Sequence, residues 1–128
     1  MVLHDFEQIK KDFPEILHTA LFLGNGMVME TTLSHEQVNI PVLGKKLVEM
    51  IDRMQDLLET SGFHNKVFQK IIFEVEDVVI IVLKLKEGDN LALFFEGRKF
   101  FEKYGPTFRQ FLANLERTIL KYDKISPE

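Results

Sequence analysis

Any chemistry this chain performs must come from its histidines, carboxylates and lysines, because its 128 residues include no cysteine. Disulfides, thiolate metal sites and a cysteine nucleophile are excluded. The four histidines, His4, His18, His35 and His64, lie far apart in the chain. None has another three or four residues on, the spacing by which a helix brings two imidazoles to one metal. They read as surface or turn residues, and no metal site is expected. Glu74, Glu76 and Asp77 are close together, and alternation predicts Glu74 and Glu76 on one strand face with Asp77 in the turn. Nothing in the neighbouring sequence tunes them for acid–base work, so they read as a solvated strand end. Gly44-Lys45-Lys46 has the flavour of a phosphate loop. It lacks the glycine five residues earlier and the Ser/Thr after the lysine, and it sits in a helical pattern. The nucleophile-elbow, zincin, P-loop and dinucleotide motifs do not occur. No catalytic residue and no cofactor is expected, and the chain reads as a protein that is not an enzyme.

What remains is residues suited to touching other proteins. Glu49, Asp52, Asp56 and Glu59 recur at spacings of three and four, which puts four like charges on one helix face. Such a row is either a solvated face or a docking surface for a basic partner. Gly44, Val48, Ile51 and Gln55 follow at i+4, i+3 and i+4 beside the core stripe of the same helix. A small residue followed by apolar ones lets another helix approach, so this flank is a candidate subunit interface; the alternative is that Val48 and Ile51 only widen the core stripe. Lys66, Phe68, Lys70 and Ile72 are expected on one face of an edge strand. Phe68 and Ile72 exposed there would be an aggregation liability, which pairing that edge with a second copy removes.

These residues need elements to hold them. Phe6, Ile9 and Phe13 predict a helix over residues 5–13, with Asp5 as a cap and Pro14 at its end. Residues 18–23 and 27–32 flank Gly24-Asn25-Gly26 as a β-hairpin. The helix over residues 41–60 is the best marked: Pro41 suits its first position and Gly62 its C-terminal cap. Leu43, Leu47, Met50, Met54, Leu57 and Leu58 form its apolar stripe. Three strands follow, at residues 67–76, 78–85 and 90–95. The second is almost continuously apolar and β-branched, so helices are expected on both faces of the sheet. Phe108, Phe111, Leu112, Leu115, Ile119 and Tyr122 mark a closing helix that starts at Gly105-Pro106, with residues 97–103 as a further helical turn before it. The predicted order is α-β-β-α-β-β-β-α. That is an α+β protein, an α/β/α sandwich around one five-stranded, mostly antiparallel sheet.

Composition bounds the rest. Apolar residues make up 45% and charged residues 28%, which fits one globular domain over residues 1–128. The 12 Phe with no Trp predict a core filled with phenyl rings. The net charge is −4, and no Lys/Arg block exceeds two residues. Nucleic acid and anionic membrane surfaces, which need clustered positive charge, are not expected partners. The longest apolar run, residues 78–83, is too short to span a bilayer, and residues 1–11 lack the apolar core of a leader. A cytoplasmic location is expected by elimination.

The layout resembles the roadblock/dynein light-chain domain, in the roadblock–longin superfamily with its profilin-like architecture. Phe13-Pro14-Glu15-Ile16 is similar to the family's "P-G-V" approach to its first strand, with Glu15 where glycine is common. Asn25-Gly26 resembles the Asp/Asn-Gly turn between the first two strands, and residues 41–60 resemble the family's central helix. Leu91-Ala92-Leu93 resembles the last strand, and Tyr104-Gly105-Pro106-Thr107-Phe108-Arg109 the "L-G-x-x-R" start of the final helix. The order and spacing of these pieces, over roughly residues 6–122, carry the resemblance. It implies a homodimer, or a dimer with a paralogous subunit, in which central helices pack together and third strands pair. That falls on Gly44, Val48, Ile51, Gln55 and residues 66–73. It also implies a non-catalytic role as regulator or scaffold of a small Ras-like GTPase. The alternatives are a structural light-chain or adaptor subunit without a GTPase, and a PAS-like sensor whose Phe-rich core encloses a small ligand. Residues 97–128 are longer than in the shortest members and could cover a surface that others offer to partners.

Overall fold

In the computed structural model, the backbone is described for residues 3–125, and the side chains for all of these except residues 3, 4, 99, 101, 104, 124 and 125. The imidazole of His4, the first two residues of the expected single domain and the last three of its C-terminal segment lie outside the described residues.

Helix α1 (Leu3–Asp12) leads to β1 (Ile16–Phe22) and β2 (Val28–Thr31); helix α2 (Ile40–Thr60) follows. Strands β3 (Lys70–Glu74), β4 (Val78–Lys84) and β5 (Asn90–Glu96) come next, then α3 (Gly97–Tyr104), a 3-10 turn (Gly105–Thr107) and α4 (Phe108–Ile125). The sheet runs in the order β2-β1-β5-β4-β3, and every neighbouring pair is antiparallel. The expected order holds, with one addition: the helical turn before Gly105-Pro106 is the eight-residue helix α3.

The hairpins follow local chemistry. The Asn25 side chain accepts the Met27 N–H at 2.9 Å, and Gly26 takes φ +93°, a conformation that glycine adopts without strain. Glu76-Asp77 forms the β3–β4 turn, closed by the Val75 N–H donating to the Val78 carbonyl at 2.9 Å. The β4–β5 turn is held from outside, where the buried Asp123 carboxylate of α4 accepts the Lys86 N–H at 2.8 Å.

Strand alternation sorts the core onto two faces. Ile16, Leu21, Val79, Ile81, Leu83, Leu91, Leu93 and Phe95 face α1, α3 and α4. There the expected rings meet: Phe95 and Phe100 are 4.8 Å apart, and Phe100 lies edge-on to Phe111 at 5.1 Å. A Lys103–Glu15 ion pair ties α3 to the residue before β1. Ala20, Phe22, Val82 and Ala92 face the other way, toward Leu47 and Ile51 of α2. Three helices cover one face and a single helix the other. No helix among the described residues is long and apolar enough to cross a membrane.

Candidate protein-interaction surface

The surface is built around α2. Asn39 caps it by accepting the Val42 N–H at 3.3 Å, with Pro41 in its first turn. At the other end the Phe63 N–H donates to the Leu58 carbonyl, and Gly62 at φ +98° turns the chain away. The Glu59 carboxylate holds this exit, contacting His64 Nδ1 at 2.9 Å and the Asn65 N–H at 3.4 Å.

Two contacts fix how α2 lies. Gly44 packs so tightly on the β1–β2 turn that an added Cβ would sit 2.2 Å from the Gly26 carbonyl oxygen. Eleven residues on, the Gln55 side chain accepts the Phe68 N–H at 2.9 Å, just before β3 begins. Both contacts are at the same end of the strands, one by each edge of the sheet. Eleven residues of helix rise about 16 Å, close to the roughly 19 Å spanned by four inter-strand spacings. Helix α2 therefore crosses the sheet near one end, and its last turns run past the β3 edge.

The rest of that sheet face is left half open. Opposed Val82 and Ala92 are fully buried beneath α2, whereas the next pair along the same strands, Ile80 and Phe94, is only half-buried. Phe73, opposite Ile80, is 45% exposed. The helical repeat turns Met50, Met54 and Leu57 to the flank opposite Gln55. There they line a shallow groove with Lys46, Glu49 and Arg53. Met54 and Leu57 are 49% and 59% exposed, and Phe63 and Val67 beyond them 56% and 61%. Exposed apolar side chains in this number at one end of α2 and in the segment after it have the character of an interaction site. Beside it, β3 forms one edge of the sheet.

No protein-family model matches the sequence, and no curated protein matches it significantly. Solved structures do. Over 72% of this chain and 75% of the other, the structure superimposes on a Roadblock/LC7 domain from Streptomyces avermitilis with TM-score 0.60 at 11% identity. The chain has the roadblock fold. Myxococcus xanthus MglB shares that fold with TM-score 0.66 and 14% identity, over 89% of this chain and 87% of that one. An MglB described as having a tetrameric arrangement matches with TM-score 0.60 and 17% identity, over 90% of both chains. The expected five-stranded antiparallel sheet between helices is the architecture these structures share.

The residues singled out in the sequence distribute unevenly over this roadblock-fold chain. Gly44 and Ile51 are buried inside the subunit, against the hairpin turn and the sheet, and Val48 and Gln55 are half-buried beside them. That flank faces the protein's own turn and loop, because α2 crosses the sheet at its end. Of the expected core stripe, only Leu47 is buried; Leu43 and Met50 are half-buried, and Met54, Leu57 and Leu58 are exposed. Lys66 and Phe68 precede β3, which is shorter than residues 67–76, so strand alternation does not extend to them. Phe68 packs on the α2 side, whereas Ile72, opposite Ile81, faces the α4 side and is exposed. Lys70, on that same side, is ion-paired with Glu116 of α4 at 2.6 Å.

In the acidic row, Glu49 pairs with Lys46 at 3.2 Å and Glu59 holds the helix exit, while Asp52 and Asp56 are exposed. Glu74 ends β3 and Glu76 lies in the following turn, so the two do not share a strand face. No group of three His, Asp or Glu side chains suited to a metal occurs among the described residues.

Proposed function

We propose that the protein is a non-catalytic interaction module. It pairs with a second roadblock-fold subunit through α2 and the β3 edge, and the pair regulates or scaffolds a small Ras-like GTPase. The observation that carries this reading is the half-covered sheet face. On the face that α2 covers, Phe73 is exposed and Ile80 and Phe94 are half-buried, while Met54 and Leu57 of α2 itself are exposed, which leaves apolar surface for a partner to cover. The tetrameric arrangement of an MglB supports self-association in this fold. The GTPase follows from the resemblance to roadblock domains. Its mechanism would be differential binding: a surface that engages one nucleotide state better shifts the GTPase toward that state.

The test is a binding titration of the purified protein against Ras-like GTPases loaded with GDP or with a non-hydrolysable GTP analogue. The expected result is at least tenfold preference for one state by at least one GTPase, equivalent to about 1.4 kcal/mol. Equal, negligible binding of every candidate would remove the GTPase from the reading. The small-ligand alternative has less support, because Phe95, Phe100, Phe108 and Phe111 pack ring against ring in the layer a ligand would occupy.

A further inference from the structure

The second half of α4 leaves a gap against the start of β3 and the end of β4. The gap is a cavity of about 130 Å³, walled by the buried side chains of Leu83, Leu85 and Ile119 and by the half-exposed Leu120. It lies at the end of the layer away from the phenyl cluster. Leu83 pairs with Leu91, whereas Phe95 pairs with Val79, four residues along both strands. The Lys70 ammonium and the Glu116 carboxylate also border the cavity, meeting at 2.6 Å, and with side chains 41% and 30% exposed they form its mouth.

Two features of this arrangement point to a ligand. The cavity is of benzene size and could hold several waters, but its walls offer them no hydrogen-bonding partner, so filling it with hydrocarbon is favourable. Its mouth sets one cation beside one anion. A pair this exposed gains little by staying closed, so a ligand can open it. A plain carboxylic acid would bring its charge against Glu116, and an alkyl amine its charge against Lys70. A zwitterion matches both. Lys84 borders the cavity too, but strand alternation turns its side chain to the α2 face, so the charge at the mouth stays balanced.

We infer that this cavity is a binding site for a free aliphatic α-amino acid of the size of valine or leucine. The ligand's carboxylate binds Lys70 Nζ, its ammonium binds Glu116 Oε1, and its branched side chain fills the space between the three leucines and Ile119. Every residue of the site belongs to one subunit, so the site does not depend on the pairing proposed above.

Titration of the isotope-labelled whole chain with L-leucine, followed by amide NMR shifts, tests it. Saturable shifts are expected at residues 69–70, 83–85 and 116–120, with a Kd on the order of 1 mM, as suits a ligand of few atoms. Glycine should bind more than about tenfold more weakly, because each buried methylene is worth about fourfold. Isocaproate and isoamylamine carry the same hydrocarbon with one charge each, and should also bind about tenfold more weakly. Glu116→Gln is expected to weaken leucine about tenfold and to strengthen isocaproate, since the repelling carboxylate is gone. A variant that merely disturbed the fold would weaken both, and its circular dichroism would change. No saturable shift well above that leucine concentration, shifts centred elsewhere, or isocaproate binding the original chain as tightly as leucine would each overturn the assignment.

Discussion

Among the glycines, Gly44 has the least room for a side chain. Its absent side chain is what lets α2 rest on the β1–β2 turn, since a Cβ there would meet both the Gly26 carbonyl at 2.2 Å and a Val28 methyl at 2.8 Å. Gly44→Ala is expected to lower unfolding stability by about 1–3 kcal/mol through overpacking. Gly105→Ala, where nothing lies within 4 Å, should change it by less than about 0.5 kcal/mol. Urea denaturation of the two variants makes the comparison, and equal midpoints would refute the close approach. Asp123 is a second fixed point. It supplies an acceptor for the Lys86 N–H in the β4–β5 turn from the far end of the chain. Asp123→Ala removes that acceptor and should destabilise by about 1–3 kcal/mol, with hydrogen exchange of residues 85–89 rising first. Unchanged exchange in that turn would show that the carboxylate does not hold it.

For the elements, the contrast lies within α2. Its N-terminal half buries Ile40, Gly44, Leu47 and Ile51, and no residue after Ile51 is buried. Leu47→Ala should therefore cost about 2–5 kcal/mol of unfolding stability. Leu57→Glu should leave the fold intact, within about 0.5 kcal/mol, and shift the protein toward monomer in a sedimentation experiment. A folded L57E that associates as tightly as the original would place the interface elsewhere.

This contrast also marks what was legible in the sequence. Asn25-Gly26, Pro41, Gly62 and the alternation of residues 78–95 fix their elements locally, because turns, caps and period are properties of neighbours in the chain. The stripe Leu43, Leu47, Met50, Met54, Leu57 and Leu58 is equally periodic, but periodicity does not say where the covering sheet ends beneath it. Gly44 reads as a notch for a foreign helix until the hairpin turn is seen filling it. Likewise β3 begins at Lys70, because Phe68 gives its N–H to Gln55 of α2, a side chain 13 residues away that no local pattern announces.

The whole molecule is lopsided. Three helices close one face of the sheet over a phenyl core, and one helix crosses the end of the other. Met54, Leu57, Phe63 and Val67 are exposed, as is Phe73 on the edge strand β3, and an apolar edge of this kind is an aggregation liability that a covering partner would remove. A second roadblock-fold subunit there, as proposed, would join two five-stranded sheets into one. The measurement that bears most directly on this is solution mass by light scattering across a hundredfold range of concentration. A mass approaching twice the 15.0 kDa of the chain as concentration rises is the predicted result. A mass that stays at 15.0 kDa throughout would contradict it.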